Sequence, residues 1–227
     1  MKKILFSIII ILSLSFETFS HVKHYSQYEF LEYELFRNNK SIGFHNYKFI
    51  KNDEYLTVDS EVSFKITKLG VDLYRYYAKS MEKYKNGAFS SFSSTTKQNK
   101  KDKYVNIKVD PIDNKLIIDG SSFKGKVDNS LIIGTWWNHE IIKKDAQISA
   151  VSGRIIRQNV EFLGKEEVTI NNKNYKTLKF RFTSSDKSLS KDKKLNTEIW
   201  YEEDTFLWVK AAFDKTGYWE YRLKTYK

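Results

Sequence analysis

Cysteine is absent from this chain of 227 residues, and its absence removes several functions at once. Without a thiol there is no disulfide, no cysteine nucleophile and no cysteine-ligated metal site. Histidine is scarce, with four residues. His139-Glu140 matches the start of the zinc-protease motif, but Lys143 stands where that motif needs its second histidine. His45 lies within a strand pattern, which favours a hydrogen-bonded structural role. We expect no metal and no cofactor.

Motifs of nucleophilic and phosphate-binding enzymes are also missing. The chain has neither a Gly-x-Ser-x-Gly elbow nor a glycine-rich phosphate loop. Its adjacent carboxylates, Glu166-Glu167 and Glu202-Glu203, would point to opposite faces of a strand and cannot converge on one substrate. We therefore expect that the protein is not an enzyme. A hydrolase of envelope polymers stays open as an alternative, because glycosidase carboxylates come from separate strands.

Proline occurs once, at Pro111, and no Pro- or Ser-rich linker divides the chain, which favours one domain. The N-terminus differs from the rest: Lys2 and Lys3 precede an apolar run over residues 4–16, too short to span a membrane. Small residues, including Ser20, follow. This pattern predicts a signal peptide at residues 1–20, a single domain at 21–227 and a periplasmic location, with an uncleaved N-terminal anchor as the alternative.

Charge of one sign is in surplus: 39 Lys and Arg against 28 Asp and Glu give a formal net charge of +11. Only six of the basic residues are arginine, whose planar guanidinium binds phosphate better than the lysine ammonium does. Export would also separate the protein from most nucleic acid. We expect no nucleic-acid partner, and weak contact with an anionic membrane surface as the use of this charge.

Apolar and polar residues alternate with period two along most of the chain. In residues 55–67 one face carries Leu56, Val58, Val62, Phe64 and Ile66, together with Ser60, and we expect this face to point inward. Turn signals such as Asn86-Gly87 separate such runs, while the charged stretches at 97–103 and 184–194 are typical of solvated loops. The pattern predicts an all-β protein: a large curved antiparallel sheet of about a dozen strands forming a full or partial barrel.

The stretch "IIGTWWNHEII" at residues 132–142 does not alternate. It predicts one short helix near residues 138–144, with Asn138 as its N-cap. Adjacent residues entering a helix point about 100° apart, so Trp136 and Trp137 cannot fill the same pocket. We expect Trp137 in the core and Trp136 at a partly exposed rim, where it could stack on a ligand.

Aromatic residues make up 16% of the chain. Strands favour aromatic residues, so a packed core is one interpretation, and an aromatic-lined cavity for an apolar ligand is the other. Tyr74 and Tyr76 share a strand face. The candidate ligand-binding residues are Trp136, Trp137, Asn138, Tyr74 and Tyr76.

Four segments together resemble an uncharacterised family of exported all-β proteobacterial proteins, a family built on a domain of unknown function. They are "FLEYELFRNNKSIGFHNYKF" at 30–49, "LGVDLYRYYAKSMEKYKNG" at 69–87, "TWWN" at 135–138 and "TEIWYEEDTFLWVKAAFDKTGYWEYRL" at 197–223. The resemblance implies an all-β fold and export, and it carries no catalytic residue to this chain.

Two functional hypotheses follow. The first is an exported, periplasmic, non-enzymatic β-barrel-like protein that binds or carries a lipid-like or apolar ligand. The alternative is a structural or assembly factor of the cell envelope that binds protein or anionic lipid surfaces. An interior cavity would favour the first hypothesis.

Overall fold

A computed structural model describes residues 25, 27–191 and 193–227, so the predicted signal peptide at 1–20 lies outside the described residues. The described chain forms one sheet of 15 strands. In chain order the strands are β1 Phe30–Arg37, β2 Lys40–Lys51, β3 Tyr55–Lys68, β4 Val71–Lys85, β5 Ala88–Gln98, β6 Lys101–Val109, β7 Leu116–Gly120, β8 Lys124–Val127, β9 Ile132–Ile133, β10 Ala146–Ile148, β11 Ile155–Ile170, β12 Lys173–Ser184, β13 Asn196–Glu202, β14 Trp208–Asp214 and β15 Tyr218–Tyr226.

The sheet confirms the predicted all-β class. Its order runs from β8 back to β1, then to β15 and back to β9, so β1 and β15 pair at the centre while β8 and β9 form the two edges. The pairs are antiparallel except β9 with β10, which is parallel. The predicted large antiparallel sheet is thus confirmed, and its one parallel pair lies at an edge, where the long connection that contains "TWWN" brings the chain back in the same direction.

In several hairpins the two strands are joined by a two-residue turn. Four of these turns begin with asparagine in the left-handed region, at Asn38, Asn86, Asn99 and Asn171. The prediction of a solvated loop over residues 97–103 was wrong, because Asn99 allows a tight turn and the flanking charged residues extend β5 and β6.

Strand β3 has the predicted inward face. Val58 and Val62 are buried, Ser60 bonds His45, and the Phe64 ring lies 5.3 Å from the Trp219 ring. Register shifts interrupt the β3–β4 and β4–β5 ladders. Such bulges increase twist, which is how strands of 14 and 15 residues curve around a core.

The curved sheet does not close by hydrogen-bonded strands. Instead, β5 to β7 pack against β9 and β10 through one apolar cluster, whose buried members are Phe92, Val105, Ile107, Leu116, Ile118, Ile133 and Ile148. Next to it, the Ser122 amide donates to the Ser152 carbonyl at 2.8 Å. We call this junction the seam. The protein is thus a partial barrel, one of the two predicted forms.

The connection between β9 and β10 lies inside the curve of the sheet. It contains a 3-10 helix at His139–Lys143, close to the predicted helix at 138–144, and Asn138 is its N-cap, as predicted. The Asn138 side-chain oxygen accepts from the Glu140 amide at 3.2 Å. Within the described residues, no helix is long and apolar enough to cross a membrane.

Candidate functional site

An interior cavity of about 220 Å³ lies between strands β2 to β5 and the "TWWN" segment. Its floor exists because neighbouring strands contribute small residues in register. Ser60 pairs with Ser80, Ser80 pairs with Ser94, and Ala78 lies beside them in β4. Large side chains at these inward positions would fill the space.

Aromatic rings form the walls of this cavity. Tyr47, Tyr76, Trp136 and Tyr221 line it. The Trp136 ring makes edge contacts with Trp208 at 5.3 Å and with Tyr221 at 5.4 Å between ring centroids. Burial raises the pKa of Tyr76 to about 12 and raises that of Tyr221 further, so both phenols stay neutral at physiological pH.

His45 is one of the polar groups that line the cavity, together with the serine floor, Thr96 and Thr135. Its Nε2 lies 2.9 Å from the Ser60 hydroxyl, and its ring lies 4.3 Å from the Tyr47 ring. Burial lowers the pKa of His45 to about 3, so the imidazole is neutral. This confirms the hydrogen-bonded histidine expected from the sequence. Lys79 also lines the cavity, and its side chain is exposed.

A second polar cluster lies on the other side of the "TWWN" segment, around buried Glu82. The Tyr84 hydroxyl donates to Glu82 Oε1, and the Trp137 indole N–H donates to Oε2 at 3.2 Å. The Thr135 hydroxyl lies 3.4 Å from Oε2, and Asn138 Nδ2 donates to the Tyr84 hydroxyl at 3.3 Å. A cavity of about 160 Å³ adjoins this cluster.

Burial dominates the chemistry of Glu82. It raises the pKa of this carboxyl to about 7, against the opposing effect of the donated hydrogen bonds. Among the described residues, every group that hydrogen-bonds to the two oxygens is neutral, so the carboxyl has donors there and no cationic partner. The arrangement ties "TWWN" to β4.

The five candidate residues do not form one site. Trp136 and Tyr76 line the cavity of about 220 Å³, whereas Trp137 and Asn138 belong to the Glu82 cluster. Tyr74 lies outside the cavity, with its ring stacked 5.9 Å from Phe64. Trp137 is 1% exposed and Trp136 is half-buried, which confirms their predicted difference in burial.

Sequence reasoning missed Ser80, Glu82 and Tyr221. A signal for two of them was present, because Ser80 and Glu82 lie in phase with Tyr74 and Tyr76 on the inward face of β4. Among the residues that the structure describes, no group of three or more His, Asp or Glu side chains is placed to hold a metal ion.

Comparisons with known proteins support the fold and assign no function. The fold is similar to the crystal structure of a beta-barrel-like protein of domain of unknown function DUF1849 from Brucella abortus, with a TM-score of 0.60, 11% identity and coverage of 87% of this chain and 96% of that chain. A DUF1329 family protein from Desulfovibrio piger aligns over 92% of this chain and 90% of its own at 9% identity, with a TM-score of 0.26. No curated protein matches the sequence. One family profile matches residues 33–224.

Proposed function

The chain belongs to the family of that profile, described as Domain of unknown function (DUF6134), and because this description states no activity, we propose from the interior cavity that the protein binds a small uncharged ligand. The observation that carries the proposal is an aromatic-walled cavity with a neutral His45–Ser60 pair among its polar groups. A preformed apolar pocket with few polar groups is the usual form of a small-molecule site.

The size of the cavity narrows the ligand class. An engineered cavity of about 150 Å³ is enough to bind benzene, whereas drug-sized ligands occupy about 300–1,000 Å³. At about 220 Å³, this cavity fits one ring or a short alkyl segment. A lipid-like ligand, as expected from the sequence, would place only one end here, because aromatic residues such as Tyr33, Trp137 and Trp208 fill the adjacent core.

Filling the cavity tests the proposal. Ala78→Leu adds three carbons to the cavity floor, and Tyr77→Leu changes the neighbouring residue, which is 38% exposed on the outer face. Isothermal titration with p-cresol and 1-hexanol is expected to show binding to the wild type and to Tyr77→Leu, and a loss of at least tenfold in affinity for Ala78→Leu. Absence of binding to the wild type, or equal affinity in both variants, would contradict the proposal.

We also propose that the protein works outside the cytoplasm and is not an enzyme. Lys2, Lys3 and the apolar run at 4–16 support export. Cell fractionation with mass spectrometry tests it. The expected result is a periplasmic protein whose first residue is His21. A chain that keeps residues 1–20 in the cytoplasm would contradict export.

A further inference from the structure

The turn between β3 and β4 exposes three apolar side chains. Leu69 is 94% exposed, Val71 is 62% exposed and Leu73 is 56% exposed. We call these three residues the apolar tip. Exposed single apolar residues are ordinary, but here three lie within five consecutive residues at one hairpin end.

The residue at the apex breaks the rule that the other two-residue turns follow. Leu69-Gly70 has φ angles of 51° and 78°, and Asn86-Gly87 has 50° and 78°. The two turns therefore share one backbone form, yet leucine replaces the asparagine found at Asn38, Asn86, Asn99 and Asn171. Left-handed backbone is unfavourable for leucine and tolerated by asparagine, so Leu69 costs stability without burying any surface. A local rule broken without a gain in packing indicates function.

Basic residues follow the apolar tip along both strands of its hairpin. Lys65, Lys68 and Arg75 lie on the same hairpin. The β5–β6 turn is fastened beside it, because the Asn99 amide donates to the Arg75 carbonyl at 2.9 Å and the Arg75 amide donates to Asn99 Oδ1 at 2.8 Å. This contact places the β5–β6 turn, with Lys100, beside Arg75 and two residues along β4 from Leu73, while Lys97 lies further along the hairpin, opposite Tyr77.

The combined surface is strongly positive. Residues 65–75 and 97–103 contain seven basic and two acidic residues. One of the acidic residues, Asp72, is already paired with Arg75 at 2.7 Å. The hairpin thus presents an apolar tip that is followed along its strands, and on the adjoining β5–β6 turn, by lysine and arginine residues that we call the basic collar.

We propose that this tip docks on an anionic lipid bilayer, with the three apolar side chains inserted among the headgroups and the basic collar on the surface. An apolar tip followed by basic residues matches the two attractions that such a membrane offers, burial of apolar side chains and electrostatic attraction of Lys and Arg to anionic lipid. A protein partner is the weaker match, because stable protein interfaces bury about 800 Å² on each side and three side chains on a convex tip offer far less. The docking is independent of the interior cavity.

Vesicle cosedimentation tests the proposal. The protein as isolated from its producing cell is mixed with phosphatidylcholine vesicles, with or without phosphatidylglycerol, at low and high salt. We expect binding to the anionic vesicles at low salt and a marked loss at high salt or without phosphatidylglycerol. No binding to anionic vesicles at low salt, or equal binding to both kinds, overturns the proposal.

Matched variants locate the contact. Leu69→Asn restores the turn residue used elsewhere, so it keeps or raises thermal stability, and we expect it to lower the partition coefficient roughly tenfold. Ile112→Asn is the control, since Ile112 is 93% exposed in a turn whose neighbours include Asp110 and Asp113. Lys68→Gln with Lys100→Gln should weaken binding at low salt and leave the residual high-salt binding unchanged. Equal binding by Leu69→Asn and wild type, or equal losses from Leu69→Asn and Ile112→Asn, overturns the assignment.

Discussion

Glu82 differs from the other two buried carboxylates that the structure describes. Asp110 lies 2.5 Å from Lys126, and Glu220 lies 2.7 Å from Lys210, so both have cationic partners and lowered pKa values. Glu82 receives only neutral donors, and burial raises its pKa. The protein therefore holds a carboxyl that gains a proton more readily when folded than when unfolded.

This difference predicts how Glu82→Gln changes the pH dependence of stability. Folding raises the pKa of Glu82 from 4.5 to about 7, so between these values the folded state binds more protons than the unfolded state. The contribution of Glu82 is greatest below pH 4.5 and is lost as the pH rises to about 7. Relative to Glu82→Gln, the wild type should lose about 3 kcal/mol over that range.

Urea denaturation of the wild type and of Glu82→Gln from about pH 4 to about pH 8 measures this change in the free energy of unfolding. The comparison must be a difference between the two proteins, because His45 acts in the opposite direction. Its pKa is lowered from 6.5 to about 3, so its contribution is lost as the pH falls below 6.5. Parallel stability curves for wild type and Glu82→Gln would show that the carboxyl does not titrate in this range.

The two tryptophans predict unequal costs of truncation. Trp137 is 1% exposed, contacts Tyr25 and Phe49, and donates to Glu82, so Trp137→Ala should cost about 3–5 kcal/mol. Trp136→Ala should cost less, because one side of its ring faces the cavity. Thermal melts of the two variants measure the difference, and equal losses would contradict it.

At the residue scale, the sequence could predict which side chains are buried better than it could predict their hydrogen-bond partners. The alternation of β3 placed Val58 and Val62 inside, and the asparagine at 138 predicted a cap. The Glu82 cluster could not be predicted, because it joins β4 to a segment more than 50 positions later in the chain. Only the register of distant strands brings these donors to the carboxyl.

At the element scale, the seam depends on the absence of a side chain at Gly120. A Cβ atom there would lie 2.7 Å from the Ser152 carbonyl oxygen. The atoms that this Cβ would meet belong to the backbone of Ser152 and Gly153. The clash can therefore be relieved only if the two sides of the seam move apart.

Gly120→Ala should therefore loosen the seam, with a cost of about 1–3 kcal/mol. Ser122→Ala is the control, since Ser122 is exposed and contributes its backbone amide to the seam. Urea melts and amide exchange at Ser122 test the prediction, which requires faster exchange in Gly120→Ala alone. Unchanged exchange with full stability would contradict it.

The elements that the sequence failed to predict are short. β9 has two residues and β10 has three, too few to show a period. Long elements such as β3 and β4 were predictable because their inward and outward residues alternate over many positions. Strand length thus determined which strands of the sheet could be predicted from the sequence.

At the scale of the whole molecule, the all-β class followed from alternation and turns, whereas the extent of closure did not. Whether the edges of a sheet join depends on twist summed over all the strands. The cavity was not predicted from the sequence either, although the inward-facing serines Ser60, Ser80 and Ser94, which lie side by side on neighbouring strands, were a signal for it.

The central pairing of β1 with β15 has a consequence for how the chain folds. β1 to β8 and β9 to β15 are each built from consecutive strands, whereas β1 and β15 come from opposite ends of the sequence. Closing so long a loop costs conformational entropy before its contacts form. We expect each half to order early and the first and last strands to meet late.

Folding kinetics can test this order. Leu31 is fully buried in β1 opposite Tyr226, so Leu31→Ala should mainly raise the unfolding rate. Val62→Ala, within the local β3–β4 hairpin, should mainly slow folding. The reverse pattern would place the long-range contact in the transition state. In the expected order, two successive runs of neighbouring strands form first and their final docking creates the central ladder, so this last step limits the rate at which the partial barrel forms.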